Sequence, residues 1–201
     1  MSSQQENRRS DLHAIDDLQV RETRQRLVEA FREASTEELS SVSVTWLCKK
    51  SGVARSTFYT HFATVEDLAV FTISEAFASA SQADVDRRST HEQDRRTITR
   101  VGLEGAVSAF DASRSDILYA IRIGSRPAVV QRLTEEFARL TRRTVAAESN
   151  EADDDAVDLV TEFISAGTVH VLFLWMERGQ PDCDVLIDQL LDLLPHQLTR
   201  D

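Results

Sequence analysis

The sequence predicts an all-α protein of about nine helices, and three observations predict it. Glycine and proline are scarce, six and three in 201 residues, while Ala, Leu, Glu, Gln and Arg, which lose little on entering a helix, are plentiful. No alternating run of Val, Ile and Thr is long enough to require a strand. Apolar residues recur instead at three- and four-residue spacing along most of the chain.

Taken in order, residues 1–18 are polar, carry mixed charge and lack that periodicity, so they are expected as a solvated, disordered arm that includes Arg8 and Arg9. From Val20 onward, Val20, Thr23, Leu27, Ala30, Phe31 and Ala34 share one stripe and predict a first amphipathic helix to about Ala34. Ser43 is placed to cap a second helix with Val44, Leu47, Cys48 and Ser51 inward, and Gly52 ends it by taking the left-handed conformation. A very short third helix covers Arg55 to His61. Thr64 and Asp67 are spaced as a capping pair for a fourth, from Val65 to about Asp86. Thr90 to Ala112, Arg114 to Gly124 and Arg126 to Glu148 follow, the last with Ser125 as cap and Pro127 in its first turn. The acidic run from Glu151 to Asp155 opens the next helix, where negative charge suits the dipole; it is not read as a metal site.

The last two helices carry an association signal. Val157, Val160, Ile164, Gly167, Val171 and Leu174 are spaced 3-4-3-4-3, a seam suited to another helix, and Leu159, Phe163, Ala166, His170 and Phe173 form a second stripe beside it. Beyond Gly179, Leu186, Leu190 and Leu194 repeat the theme. One core cannot cover both surfaces. A homodimer is expected, with a two-fold four-helix interface centred on Val160, Ile164, Gly167, Val171 and Leu174 together with Leu186, Leu190 and Leu194.

Charge is distributed unevenly. The chain has a formal net charge of -11, yet no carboxylate lies between Glu38 and Glu66, and that gap holds both of its lysines, Lys49 and Lys50. Residues 1–68 set nine Lys/Arg against eleven Asp/Glu, a net of -2, and the remainder sets fourteen against twenty-three, a net of -9. A segment kept clear of negative charge in an acidic protein points to a polyanionic partner. Two short helices joined by a glycine turn within that segment read as a DNA-reading helix-turn-helix.

The residues then carry a resemblance. Ser43 through Phe62, with Gly52-Val53, then Thr57-Phe58-Tyr59-Thr60-His61-Phe62, then Glu66-Asp67-Leu68, all in register behind an amphipathic helix, resemble the DNA-binding domain of the TetR/AcrR family of bacterial transcriptional regulators. Detailed similarity covers Val20 to Leu68; the rest agrees in length and helical character, plus a Trp175-Met176-Glu177-Arg178-Gly179 hinge that looks like the family's closing segment. The resemblance implies a helix-turn-helix domain over residues 19–68 and a helical ligand-sensing and dimerisation domain over 69–201. It implies DNA contacts from Ser43 and Thr45 on the second helix and Arg55, Ser56, Thr57, Tyr59 and His61 on the third. Arg55 is the candidate base reader, since its planar fork suits guanine; Tyr59 and His61 are candidates for phosphate. Lys50 reads equally as a backbone contact and as a solvated cation, and Trp46 as packed on the first helix or laid on the DNA backbone. The sequence departs from the family pattern at Val65, which replaces a common phosphate-binding lysine, at Ala54, which replaces a polar cap, and at Cys48, Ser51 and Ser56.

The function expected is a cytoplasmic repressor that binds an imperfect palindromic operator in double-stranded DNA and is released by a small apolar effector. Phe77, Phe110, Tyr119, Phe137 and His170 are the candidate pocket residues. No cofactor or metal is expected: Cys48 and Cys183 lack any zinc spacing, and His91-Glu92 lacks a second histidine. No enzyme motif is present, no stretch approaches the roughly 20 apolar residues of a membrane span, and a signal core is lacking. The alternative function is a helical dimeric adaptor, which leaves the carboxylate-free stretch unexplained.

Overall fold

The computed structural model describes residues 2–37, 39–90, 93–148, 154–179 and 182–199, with the side chains of 2–16, 79, 80 and 197 excepted. The side chains of Arg8 and Arg9, the His91-Glu92 pair and the acidic run at 151–153 lie outside this description. All regular structure among the described residues is helical: α1 (Ser2–Thr36), α2 (Val44–Ser51), α3 (Arg55–His61), α4 (Val65–Thr90), α5 (Arg95–Ala112), α6 (Arg114–Ile123), α7 (Arg126–Glu148), α8 (Asp154–Glu177), α9 (Cys183–Leu193) and the single turn α10 (His196–Thr199). Two compact units result, Met1–Ala69 and Val70–Asp201, and the chain passes from one to the other inside α4.

In the first unit, α1 begins at Ser2, so helical backbone runs through the segment expected as an arm. Its Ser, Gln, Glu and Arg residues offer no Gly or Pro to interrupt a helix. The core forms where apolar residues recur: Leu27, Val28, Phe31, Leu47, Phe58 and Leu68 are fully buried. Local chemistry fixes the ends. The Ser43 side chain accepts the Trp46 amide at 3.2 Å, and Gly52 closes α2 at φ 68°, its amide donating to the Cys48 carbonyl. Ala54 precedes α3 without a side-chain cap. Thr64 and Asp67 exchange reciprocal bonds, the Thr64 amide to Asp67 Oδ2 at 2.9 Å and the Asp67 amide to Thr64 Oγ1 at 3.1 Å, the box their spacing predicted.

The second unit packs α7 along α8 and α5 along α9. Phe110 joins its rings, 6.3 Å from Phe77 and 5.3 Å from Phe173, with Phe137 5.9 Å from Phe77. Helix α4 runs past the expected end near Asp86 to Thr90, and α5 starts at Arg95 under an Asp94 cap. In its last turn Ser89 and Thr90 donate to the Asp86 and Arg87 carbonyls at 2.6 and 2.9 Å. Helix α8 has the length and apolarity of a membrane span, but half of that window is buried inside its unit, as in a core helix.

Candidate nucleic-acid interface, cavity and apolar face

Helix α3 is held from beneath by Phe58, fully buried, and by Val53 before it, which leaves the opposite face to solvent. Arg55, Ser56, Tyr59 and Thr60 are exposed there, while Thr57 and His61 are half-buried. Arg55 and Tyr59 stand one turn apart, the guanidinium 5.8 Å from the ring centroid and its Nη2 donating to the phenol oxygen at 3.5 Å. Stacking of this kind restrains a long side chain that would otherwise sample many rotamers. Thr45 and Ser43 are exposed at the start of α2. The Ser43 oxygen serves as the cap, so its O–H proton remains available to an outside acceptor. Trp46 is half-buried.

Two cations near this face differ in their surroundings. Lys49 is exposed. Lys50 is paired with Glu33 on α1, and hydrogen bonding to that carboxylate raises its pKa, so its charge is already partly neutralised within the unit. His61 is pushed the other way: partial burial, helped by the positive charge of Arg24, holds its pKa below the ordinary 6.5. Burial also raises the Cys48 thiol, with the Arg55 charge acting in the opposite sense.

In the second unit a cavity of about 100 Å³ lies among α4, α5, α7, α8 and the C-terminal turn. One side is apolar, with Phe77, Leu103, Phe137 and Ile164. The other carries a network that the sequence analysis missed. Buried Arg88 donates from Nε to Asp84 Oδ2 at 2.9 Å, from Nη2 to Thr99 at 2.7 Å and from Nη1 to Glu148 at 3.0 Å. Thr144 donates to Asp84 at 3.0 Å, and Arg95 pairs with Glu148 at 2.8 Å. Burial alone would lower the Arg88 pKa, but the bonds to Asp84 and Glu148 outweigh it and raise it, so the guanidinium stays charged. Gly102 makes room for the carboxylate: a Cβ there would lie 2.8 Å from Asp84 Oδ1. Asp84 and Arg88 at i, i+4 were a visible local signal; Glu148, sixty residues further on, gave none.

Of the candidate pocket residues, Phe77 and Phe137 line this cavity. Phe110 stacks behind Phe77. Tyr119 is buried on α6 beneath the Arg122 guanidinium, 4.8 Å away, and His170 is exposed on α8; neither lines the cavity. The cavity that Phe77 and Phe137 line is mainly apolar, with the Asp84–Arg88 network along one side.

The candidate association residues divide as well. Ile164, Leu186 and Leu190 are buried inside their own unit, Val160, Val171, Leu174 and Leu194 are half-buried, and Gly167 is exposed. The apolar surface left open on α8 and α9 is centred one helical position away, on Leu159, Phe163, Val185 and Leu193, which are 72, 71, 52 and 72% exposed. Nothing lies within 4 Å of where a Gly167 Cβ would stand.

No sequence-family model matches the chain, and no curated protein matches it by sequence. Solved structures do match in shape. One, described as a TetR-family transcriptional regulator from Syntrophomonas wolfei str. Goettingen, aligns with a TM-score of 0.53 at 16% identity over 86% of this chain and 93% of its own. A second, described as a transcriptional regulator from Rhodococcus sp. RHA1, gives a TM-score of 0.53 at 14% identity over 89% of this chain and 100% of its own. The fatty acid degradation regulator FadR from Bacillus halodurans gives 0.50 at 16% identity, over 84% and 96%. The all-helical fold that the sequence resemblance implied is the fold of this chain, and it is shared with TetR-type regulators.

Proposed function

We propose that this protein is a sequence-specific, DNA-binding transcriptional regulator that acts as a homodimer and responds to a small molecule. The observation that carries the reading is the outer face of α3: Arg55, Ser56, Thr57 and Tyr59 stand on one short helix, in a stretch free of carboxylates. Such a helix fits the major groove, with Arg55 suited to a guanine edge and Tyr59, His61, Ser43 and Thr45 to phosphates. Pairing of Lys50 with Glu33 favours a secondary role for Lys50. Repression, with release by an effector in the second unit, follows from the likeness to TetR-type regulators and makes α4 the link between the two events, by differential binding of the effector to one conformation. The cytoplasm is where such a protein would meet DNA.

The open face of α8 and α9 supports the homodimer. Phe163 and Leu159 are too large and too exposed to leave unpaired on so apolar a helix, and a two-fold axis through Gly167 would cover them with their own copies. Recognition helices would then meet successive grooves about 34–36 Å apart. The test of function is selection of bound duplexes from a random pool, followed by gel shift across a salt series. An enriched imperfect palindrome whose binding weakens steeply with salt is the expected result; absence of any enriched site would overturn the reading. For the dimer, Phe163→Asp should shift the sedimenting species from dimer to monomer, a loss of about a hundredfold or more in association, with helical content unchanged.

A further inference from the structure

Hydrogen-bond polarity on the cavity wall discriminates among possible ligands. Three hydroxyl donors there are already committed: Ser81 to the Leu140 carbonyl at 3.3 Å, Thr99 to the Leu198 carbonyl at 2.5 Å and Thr144 to Asp84 at 3.0 Å. Arg88 is committed to Asp84, Thr99 and Glu148. Acceptors are less fully used. An ionised carboxylate has about four lone-pair sites, and Asp84 receives bonds from Arg88 Nε, Arg88 Nη2 and Thr144. The weakest of these, 3.3 Å long, ends on Oδ1, the same oxygen that faces Gly102. Asp84 and Gly102 both line the cavity, and Gly102 places no Cβ against that oxygen. Thr141 and Thr168 hydroxyls can serve on either side of a bond and leave this balance unchanged.

Charge narrows the class further. Asp84 and Glu148 already pair with Arg88 and Arg95. A carboxylate or ammonium brought in by a ligand would be a buried charge without a counterion. Opposite the network, Phe77, Leu103, Phe137 and Ile164 offer only apolar surface.

Resting on the effector reading above, we propose that this cavity binds a small, uncharged, mainly apolar molecule bearing an alcohol or phenol, whose hydroxyl donates to Asp84 Oδ1 beside Gly102. The rings and aliphatic side chains hold the apolar body, and the hydroxyl takes the acceptor site that the wall leaves open.

The test titrates the full-length protein calorimetrically with 1-hexanol, hexanoate and hexylammonium, which share a chain and differ in headgroup. Hexanol is expected to bind at least about tenfold more tightly than either charged analogue. Equal or tighter binding of hexanoate or hexylammonium would overturn the ligand class, as would failure of all three to bind. Ala106→Leu, which fills the cavity from α5, should abolish hexanol binding; undiminished binding by the folded variant would place the site elsewhere and overturn the proposal. The wild-type headgroup series decides the matter even if that variant does not fold. Operator affinity is measured in parallel. Hexanol bound with DNA affinity unaltered would uphold the ligand class and remove only the release reading.

Discussion

The two units bury different things. Among the described residues of the first, Ser35 is the one buried polar side chain, and the interior is otherwise Leu, Val, Ala and Phe. The second buries Asp84, Arg88, Thr99, Thr144, Thr161, Ser165 and Thr168 among others. The contrast fits what each is proposed to meet. A unit that engages a polyanion from outside keeps its donors on the surface, where they cost nothing to hydrate. A unit that takes a small molecule inside carries polar groups into its core, and Asp84, Arg88, Thr99 and Thr144 bond to one another there.

The sharpest way to break this comparison is to remove one partner from the buried network. Asp84→Ala should destabilise the second unit by about 3 kcal/mol, because it removes two bonds from Arg88 and leaves Arg88 and Arg95 sharing the single Glu148 carboxylate. Thermal unfolding measures it. The double change Asp84→Leu with Arg88→Met should recover most of the loss, since Arg95 still pairs with Glu148; no recovery would mean that shape rather than charge holds the site. In the first unit a comparable loss should need no charge at all. Phe58→Ala should cost about 3–5 kcal/mol by leaving a cavity, read as early loss of DNA binding on heating.

Smaller effects sharpen the outer face. Arg55→Ala should reduce discrimination at one base pair of each half-site about tenfold or more, and a binding profile identical to wild type would remove its base-reading role. His61 gives a pH signature. Its pKa in the free protein is depressed below 6.5, so its contribution to stability is full above that value and is lost as pH falls through the depressed one. A nearby phosphate acts in the opposite sense and raises the pKa. DNA affinity should therefore strengthen as pH falls from about 8 toward 6, by less than tenfold per unit for each head. His61→Asn should flatten that dependence.

How much of this was legible depends on reach along the chain. Caps formed by residues three apart, Ser43 with Trp46, Thr64 with Asp67 and Ser125 with Ala128, were readable because donor and acceptor belong to one turn. The α3 face was readable because its polar residues and its buried Phe58 lie within one heptad. By contrast, Lys50 meets Glu33 from the neighbouring helix, and Arg88 meets Glu148 across two intervening helices, through packing that no local pattern specifies. The open face of α8 was ambiguous for another reason. Both of its stripes are apolar, so spacing alone could not tell which one turns inward; Ile164 is buried and Phe163 is exposed, though they are adjacent in sequence.

Gly102 carries a consequence of its own. With an Asp84 oxygen 2.8 Å from where its first side-chain carbon would lie, even alanine at this position is more than a change of bulk. The added methyl group would push the carboxylate away from its arginine, so the smallest possible enlargement of α5 would act on the interior as an electrostatic lesion.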